Sequence, residues 1–299
     1  MMMKTELILN EKKFIENLIN DDLAMITDKP KQIIELMATY YHQTNEKNIS
    51  EKLIDFLKDR YPKYSKNKRF WRDYCTRINT KTINNKLLEC DGIPITEREY
   101  AKIKELDYLP DLSGAERKAL QRLLFTILTL GKFQNLKSPN FGYISSKYLQ
   151  IKTIDLFQIA RVTGNKEQRL LMLNQLFNLK LIDFPKSYND NCRATFIDND
   201  TTNAAIIITD MRELGYQWNE QRGDNFNHCP KCNVIVKTNS GKDGLCSECA
   251  EIAKQSIARC IDCNTLFPRQ SKRKERCDSC QSARNLEKRL TWQRLKRSA

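Results

Sequence analysis

The chain contains CPKCNVIVKTNSGKDGLCSEC at residues 229–249 and CIDCNTLFPRQSKRKERCDSC at residues 260–280. Each stretch has two CxxC pairs separated by thirteen residues, and the second set of cysteines follows the first at a constant offset of 31 positions. Two CxxC pairs at this distance are typical of a four-cysteine zinc site. The sequence therefore predicts two structural Zn²⁺ ions, bound by Cys229, Cys232, Cys246 and Cys249 and by Cys260, Cys263, Cys277 and Cys280.

The chemistry of such a site is structural rather than catalytic. The tight turn within each CxxC pair directs two thiolates to one ion, and two pairs complete a tetrahedron that leaves no position for a reactive water. Iron–sulfur ligation uses the same residue type but is less expected for this paired spacing. His228 adjoins Cys229. Because four thiolates already complete the set, we predict a supporting or surface position for this histidine.

The segments between the cysteines predict the fold of each module. A short apolar strand, NVIV or NTLF, follows each first pair, and helix-like runs at 250–258 and 281–297 follow the second pairs. This order predicts two tandem zinc-ribbon or treble-clef-like modules, at 228–256 and 257–299. Because modules of this size have little core, bound zinc is expected to supply the energy of folding.

Length and composition indicate a globular protein of several domains. The chain has 299 residues, 40% apolar and 29% charged. Its apolar runs are too short for a membrane span, and its N-terminus lacks the apolar segment of a signal peptide. Eight of the eleven cysteines fall in CxxC pairs, which favours metal over disulfides and predicts a reducing cytoplasm. The other three, Cys75, Cys90 and Cys192, are predicted to be small core residues.

The charge of the chain predicts a polyanionic partner. The formal net charge is +14, and two sites of four thiolates around one Zn²⁺, at −2 each, lower it from +14 to +10. Residues 60–90 have nine Lys or Arg against two Asp or Glu, and residues 269–299 have eleven against three. The positive electrostatic potential of these residues would attract either nucleic acid or an acidic protein surface.

Residues 1–110 are predicted to form a helical N-terminal region that ends near Pro110. Ser50 is placed as the N-cap of one helix. Thr96-x-x-Glu99 forms a capping box, in which a hydroxyl and a carboxylate bond to opposite backbone amides.

Basic and aromatic side chains alternate within residues 60–90 of that region. The spacing of Phe70, Tyr74 and Ile78 predicts a buried stripe, and it leaves the basic residues of this helix largely outside. Such a surface fits phosphate contact and base stacking. The alternative is a solvated helix face over core aromatics, because charge runs usually mark solvated surface.

Residues 111–218 show the element order of a winged helix-turn-helix. Ser113-x-x-Glu116 is a second capping box and opens a long apolar helix. A short helix near Leu156, a turn at 163–165, a helix over 166–178 and a hairpin follow. The helix 166–178 is predicted to bury four side chains: Leu170, Leu173, Leu176 and Phe177.

This middle domain has two interpretations. In a DNA-binding winged helix, the helix 166–178 enters a major groove with Gln168 and Gln175 among its exposed residues, and Lys186 lies at the wing. Winged helices also serve as protein-docking modules, and this helix is not very basic.

A basic helix follows the last cysteine pair. Its leucines, Leu286 and Leu290, fall on one face, and its basic residues fit contact with a phosphate backbone and salt-sensitive affinity. The alternative is a solvated tail. The candidate nucleic-acid contacts of the chain are Lys68, Arg69, Arg72, Arg77, Lys166, Arg169, Lys272, Arg273, Lys274, Arg276, Arg284, Lys288, Arg289, Arg294 and Arg297.

Five stretches stand out beside the C-terminal cysteine module and its basic helix: TDKPKQIIELMATYY (27–41), DGIPITEREYAKIKEL (91–106), ERKALQRLLFTILTLGKF (116–133), LMLNQLFNLKLIDF (171–184) and ITDMRELG (208–215). In these stretches the chain resembles a class of uncharacterised phage and integrative-element proteins from AT-rich Gram-positive bacteria. The resemblance implies a mobile-element setting and no particular activity. Proteins of this class usually have one terminal zinc module, whereas this chain has two in tandem.

These observations favour a non-enzymatic zinc protein that binds DNA or RNA in a phage or mobile element. The alternative is an adaptor or inhibitor that binds a host nucleic-acid enzyme, such as a polymerase or a CRISPR effector, through the same basic surface. The sequence has no HExxH motif, no P-loop and no set of nucleophile, histidine and acid, so it predicts no catalytic residue.

Overall fold

The structure, a computed structural model, describes residues 7–20, 30–61, 63–137, 148–149, 151–185, 191–198, 202–237, 244–246, 249–250, 256–269 and 274–298. It is mainly helical with a few short strands, which confirms the predicted class. The chain divides into two compact units: residues 7–10 and 88–246 form one, and residues 11–87 belong to the other together with the C-terminal residues from 249. Residues 88–110 thus pack with the middle of the chain, whereas the sequence predicted a boundary near Pro110.

The N-terminal helices form a small bundle. The helices are α1 (Glu11–Asn20), α2 (Pro30–Gln43), α3 (Ile49–Arg60) and α4 (Lys68–Lys81), and a 3₁₀ turn (Tyr64–Asn67) precedes α4. Helices α2, α3 and α4 pack against one another, and α1 packs against α2. Apolar residues at helical spacing, such as Ile34, Met37, Leu53 and Leu57, are fully buried between them.

Two predictions for this bundle are wrong. Phe70 is exposed, and the buried stripe of α4 is Trp71, Tyr74, Cys75 and Ile78. A spacing of four residues indicates a helix, but it does not show which of two neighbouring residues faces the core. In the structure, Trp71 rather than Phe70 takes the buried position. Ser50 lies inside the first turn of α3 rather than at its cap, which is Asn48 in a left-handed conformation.

The second unit is built around one long helix. Its helices are α5 (Glu97–Lys104), α6 (Gly114–Lys137), α7 (Thr153–Ile159), α8 (Lys166–Asn178) and α9 (Leu214–Gln221), with a 3₁₀ turn at Glu105–Tyr108. Its strands are β1 (Ile93–Thr96), β2 (Ile182–Asp183), β3 (Arg193–Ala194) and β4 (Ala204–Ile208). Strand β1 pairs antiparallel with β4, and β2 pairs antiparallel with β3. Helix α6 packs against α5, α7, α8 and α9, so it is the central element of this unit.

Local capping sets the helix starts of this unit. Both predicted capping boxes are confirmed: Thr96 and Glu99 bond reciprocally at α5, and Ser113 and Glu116 do so before α6. Glu99 is fully buried and accepts two hydrogen bonds, of 2.8 and 2.6 Å, from Nζ of Lys132 on α6. The capping carboxylate therefore also joins α5 to the central helix, and its buried charge is paired.

Helix α8 has the predicted bounds but a narrower buried face. Leu173 and Leu176 are buried, whereas Leu170 and Phe177, predicted to be inside, are exposed together with Leu171, which is 62% exposed. Leu173 and Leu176 dock α8 on this unit with help from the half-buried Met172, and the exposed Phe177 keeps one ring contact, with Phe184 at 5.5 Å. The tip of the β2–β3 hairpin, including Lys186, lies outside the described residues.

In the C-terminal part, the described residues form two hairpins and a long helix, and Cys249 and Ala250 are also helical. Strands β5 (Asn227–His228) and β6 (Ile235–Val236) pair, as do β7 (Ser256–Arg259) and β8 (Leu266–Arg269), and α10 (Asp278–Ser298) follows. The helix-like run predicted over 250–258 is wrong at its end, because residues from Ser256 pair with β8 as a strand. Residues 251–255 of that run lie outside the described residues.

Candidate metal centres and basic surfaces

The same turn forms at the first cysteine pair of both modules. The amide of Asn233 donates to the carbonyl of Cys229 at 2.8 Å, and the amide of Asn264 donates to the carbonyl of Cys260 at 2.8 Å. Both asparagines are left-handed, with φ of 56° and 57°. Asparagine tolerates this conformation better than most residues, which explains its place directly after the pair. Each turn joins the two strands of a hairpin, so the hairpin sets the positions of the two thiols of the first cysteine pair.

The residue before the first cysteine supports the turn in both modules. The ring of His228 bonds through Nδ1 to the carbonyl of Asn233 at 3.2 Å, and the guanidinium of Arg259 donates to the carbonyl of Asn264 at 3.4 Å. These residues are also 31 positions apart. The prediction of a supporting surface position for His228 is thus confirmed, and Arg259 has the same role in the second module.

The eight cysteines form two groups of metal-binding geometry. In each group the sulfur of every cysteine lies within 4.8 Å of the other three. The sulfur atoms of Cys232 and Cys246 are 3.6 Å apart, and those of Cys263 and Cys277 are 3.7 Å apart. A tetrahedron with ~2.3 Å bonds from zinc to sulfur has edges of ~3.8 Å. The sulfurs are therefore too far apart for disulfides and at the separation that a zinc-type ion requires.

Backbone donors prepare two of the thiols for ionisation. Burial raises the pKa of Cys229, but the amides of Cys246, Lys231 and Cys232 outweigh it and lower the pKa to about 6. At Cys260 burial is likewise outweighed by the amides of Cys277, Cys263 and Asp262, and the pKa falls to about 6. Hydrogen bonds from Cys263 and Cys277 instead raise the pKa of Cys280. Four thiolates at these distances repel one another, so a bound dication is needed to deprotonate the whole set.

The first group is largely buried and is tied to the second unit. Cys229, Cys246 and Cys249 are buried. Arg212, which precedes α9, donates to the sulfur of Cys232 at 3.6 Å and to its carbonyl at 3.1 Å, and its guanidinium is bonded to Asp210 at 2.6 Å. His228 bonds through Nε2 to Glu220 of α9 at 2.8 Å. A cationic donor beside a thiolate offsets part of the negative charge of the centre.

The second group is more open and supports α10. Cys260 is buried, Cys263 is exposed, and Cys277 and Cys280 are half-buried. The amide of Gln281 donates to the carbonyl of Cys277 at 2.9 Å, so the last cysteine pair forms the start of α10. Arg276 pairs with Asp262 at 2.8 Å, and Lys274 pairs with Asp278 at 2.6 Å. The Arg276–Asp262 pair joins the two cysteine pairs of the module across its surface, whereas the Lys274–Asp278 pair lies within the segment of the second pair.

The predicted nucleic-acid contacts differ in how far they are exposed. Lys68, Arg69, Arg72 and Arg77 of α4 and Lys166 of α8 are exposed, as are Arg284, Lys288 and Arg289 of α10. Lys274 and Arg276 are engaged in the ion pairs of the second module, and Arg169 is half-buried with its guanidinium 5.9 Å from the ring of Phe157. Lys272 and Arg273 lie outside the described residues, and of Arg294 and Arg297 only the helical backbone is described.

The three cysteines outside the modules lie in or near the cores. Cys75 and Cys192 are buried, and burial raises the pKa of each thiol to about 12. Cys90 is half-buried and its thiol donates to the carbonyl of Gly92 at 3.2 Å. The prediction of core positions is confirmed for the first two.

Four residues that support the centres were not predicted from the sequence: Arg212, Asn233, Arg259 and Asn264. The shared offset of 31 positions marks both asparagines, since CPKCN and CIDCN end alike. Arg212 lies within the ITDMRELG stretch (208–215), twenty positions before Cys232, and nothing in that stretch indicates contact with a cysteine.

The comparisons with known proteins give no relative for this site. No family model, no curated protein and no solved structure matches the chain. Among the described helices, none combines the length and the apolar character needed to cross a membrane.

Proposed function

We propose that this protein is a non-enzymatic, zinc-containing nucleic-acid-binding protein of a phage or mobile element. The observation that carries the proposal is the second cysteine group, which holds the start of a long basic helix whose described side chains from Gln281 to Thr291 are all exposed. A helix whose side chains are exposed on every side gains little from the core of its own chain. Such a helix fits a polyanionic partner.

Zinc is the ion that best fits both centres in this proposal. Four cysteine sulfurs in a closed tetrahedral set are the donors of structural zinc sites, and they leave no open position for chemistry. The residues that would hold the two ions are those of the two cysteine groups. Bound zinc would supply the folding energy of two modules whose hairpins have strands of only two to four residues.

The charge distribution supports contact along more than one surface. Helix α4 exposes Arg69, Arg72 and Arg77, and Phe70 lies exposed beside them with its ring stacked on Tyr74 at 6.0 Å. Cations around an exposed aromatic ring fit phosphate contact and stacking of an unpaired base. The alternative of a solvated face would leave binding unchanged when these residues are replaced.

The middle of the chain is proposed to be a winged helix-like domain. The order of α6, α7, α8 and the β2–β3 hairpin supports this proposal, as does the turn between α7 and α8. Strand β4 and helix α9 are additional to the elements of a winged helix and pack against β1 and α6.

The test of the proposed function is a filter-binding titration of the full-length, zinc-loaded protein on duplex DNA, single-stranded DNA and RNA between about 50 and 200 mM salt. We expect a complex whose affinity falls steeply with salt. A triple variant, Arg284→Gln, Lys288→Gln and Arg289→Gln, should reduce the salt slope by roughly 0.9 for each phosphate that is no longer neutralised. The matched control replaces Lys52, Lys58 and Lys102, which are exposed and salt-bridged elsewhere, by Gln, and it removes the same charge.

Absence of a salt-sensitive complex with all three nucleic acids would refute the proposed function. Equal losses of affinity in the triple variant and in the control would show that only net charge matters, and would remove α10 from the interface. A Mg²⁺-dependent nuclease assay on the same samples tests the non-enzymatic part of the proposal.

A second candidate function is an adaptor or inhibitor of a host nucleic-acid enzyme, such as a polymerase or a CRISPR effector. The observation that favours it is the exposure of three apolar residues on α8: Leu170, Leu171 and Phe177. Exposed apolar residues on the helix that would enter DNA fit protein contact better than a polyanion. Capture of a host nucleoprotein enzyme that survives nuclease treatment and is abolished by Leu171→Glu would support this function over the first.

A further inference from the structure

We propose that α10 enters the major groove of duplex DNA, and that Gln281, Arg284, Asn285 and Lys288 contact base edges there. These four residues are called the polar face of α10 below. The inference rests on the proposed function and adds the form of nucleic acid, the groove and the contacting groups. It also assigns DNA contact to α10 rather than to α8.

The spacing places the four side chains together. Positions i, i+3, i+4 and i+7 share one side of a helix, and Gln281, Arg284, Asn285 and Lys288 follow that spacing. All four are exposed. Their rise along the helix is about 10 Å, which matches about three base pairs of duplex DNA. A helix of about 10–12 Å in diameter fits a major groove that is about 12 Å wide.

The residue types of the polar face match the hydrogen-bonding groups of bases. Amide side chains bond to N6 and N7 of adenine, and Arg or Lys bonds to O6 and N7 of guanine. Asn and Gln also contact phosphate oxygens, but such contacts carry no sequence information. Two amides beside two cations offer both of the bidentate pairings that distinguish adenine and guanine, so the face fits contact with bases as well as with the backbone.

A side-chain hydrogen bond orients one of the amides. Nε2 of Gln281 donates to Oδ1 of Asn285 at 3.1 Å. This bond uses one lone pair of Oδ1, so the second lone pair and the two hydrogens of Nδ2 remain to accept from N6 and donate to N7 of one adenine. Because the amide is already oriented before binding, less conformational entropy of the side chain is lost when the contact with the base forms.

The apolar residues of α10 lie opposite the polar face, whereas its acidic residues border the face. Leu286 and Leu290, 58% and 46% exposed, occupy the opposite side. Asp278 at the helix start is paired with Lys274 at 2.6 Å. Glu287 is three positions after Arg284, roughly 60° around the helix, so it lies at the edge of the face beside that residue. The polar face thus presents two cations and two amides to a groove lined by phosphates, with Glu287 at its edge.

Helix α8 has fewer groups available for this contact. Its Gln168 is bonded in the capping box with Asn165, Arg169 lies over the ring of Phe157, and Leu171 is 62% exposed on its outer side. Double-stranded RNA is a poor fit for α10, because its major groove is deep and too narrow for side chains to reach the bases. Duplex DNA is therefore the expected target.

The experiment begins with selection of randomised DNA duplexes by the full-length, zinc-loaded protein. Selected duplexes should contain a common site of about three base pairs with adenine and guanine. The double variant Gln281→Ala with Asn285→Ala should then reduce the preference for that site by at least about fivefold for each bidentate pair that it eliminates. Because both residues are neutral, the salt slope should stay unchanged. The matched control is Gln293→Ala, an exposed amide on the same helix outside the polar face.

A second arm uses the unchanged protein, so it does not depend on folding of a variant. Replacement of the selected adenine by 7-deazaadenine removes the N7 acceptor, and we expect a similar loss of affinity. Bound zinc and helical circular dichroism are measured for each variant to confirm that α10 is intact.

Three outcomes would overturn the inference while leaving the proposed function standing. These are salt-sensitive binding without any selected site, a preference that survives both the double variant and 7-deazaadenine, and tighter binding of RNA or single strands than of duplex DNA. Failure to bind any nucleic acid would instead refute the proposed function itself.

Discussion

The two cysteine modules share one local geometry and differ in their surroundings. Both have a left-handed asparagine after the first pair, and both have a hydrogen bond to its carbonyl from the residue before that pair. Yet the first centre is largely buried and bonded to Arg212, whereas Cys263 of the second is exposed. A short repeated motif thus determines ligand geometry, while the neighbours of each copy determine its protection from solvent.

The largest expected effect separates the two centres by function. Cys263→Ser removes one of four ligands from the centre that holds the start of α10, so we expect loss of one zinc ion, loss of helical signal and near-complete loss of nucleic-acid binding. Cys232→Ser should also lose one ion but retain most of the binding. Metal content, far-ultraviolet circular dichroism and filter binding measure the three effects. Equal loss of nucleic-acid binding in both variants would show that the two centres contribute equally to binding.

Metal removal should next separate the centres by rate. A chromogenic chelator should remove zinc in two phases of one ion each, and we assign the fast phase to the exposed second centre. Cys263→Ser should abolish the fast phase alone. Release of both ions in a single phase would contradict this prediction. It would show that burial of the first centre does not slow the removal of its zinc by the chelator.

Arg212 tests the cause of that protection. Arg212→Met keeps much of the side-chain volume but removes the donors to Cys232, and loss of such a supporting donor typically lowers metal affinity by about 10–100-fold. We expect acceleration of the slow phase of zinc release and no change in the fast phase. The control is Arg222→Met, which removes a half-exposed partner of Asp107 away from the cysteines.

The smallest expected effects concern the two equivalent asparagines. Replacement of a left-handed asparagine by alanine costs about 1 kcal/mol, and replacement by glycine should cost little or nothing. Asn264→Ala should therefore lower zinc affinity of the second centre by about fivefold, measured by competition with a chelator. We expect a smaller change for Asn233→Ala, because packing of Val234, Ile235 and Val236 also holds the first module.

The ligands were predictable from the sequence because their spacing is a local property. All eight cysteines fall into the two predicted groups, since each pair needs only a tight turn to bring its sulfurs together. Arg212 was not predictable, because its approach to Cys232 depends on how α9 packs in the second unit. The ion pair of Arg276 with Asp262 was missed because it depends on how the cysteine pairs of the second module meet.

Helix bounds were more predictable than helix faces. The turn before Asn165 and the apolar period placed α8 at 166–178, and its capping box of Asn165 and Gln168 agrees with that start. Periodicity could not show that Leu170 and Phe177 lie outside, because burial depends on which neighbours cover the helix. Strand β7 was missed, since a four-residue strand forms through pairing with β8 rather than through its own propensity.

The constant offset of 31 residues keeps the cysteine register under deletion or duplication of one repeat. Removal of residues 229–259 would join His228 directly to Cys260 and leave one complete cysteine set. The shortened chain would keep an asparagine after its first cysteine pair, both cysteine pairs and the sequence of α10. An in-frame deletion or duplication of 31 residues would thus subtract or add a whole metal centre without creating a partial one.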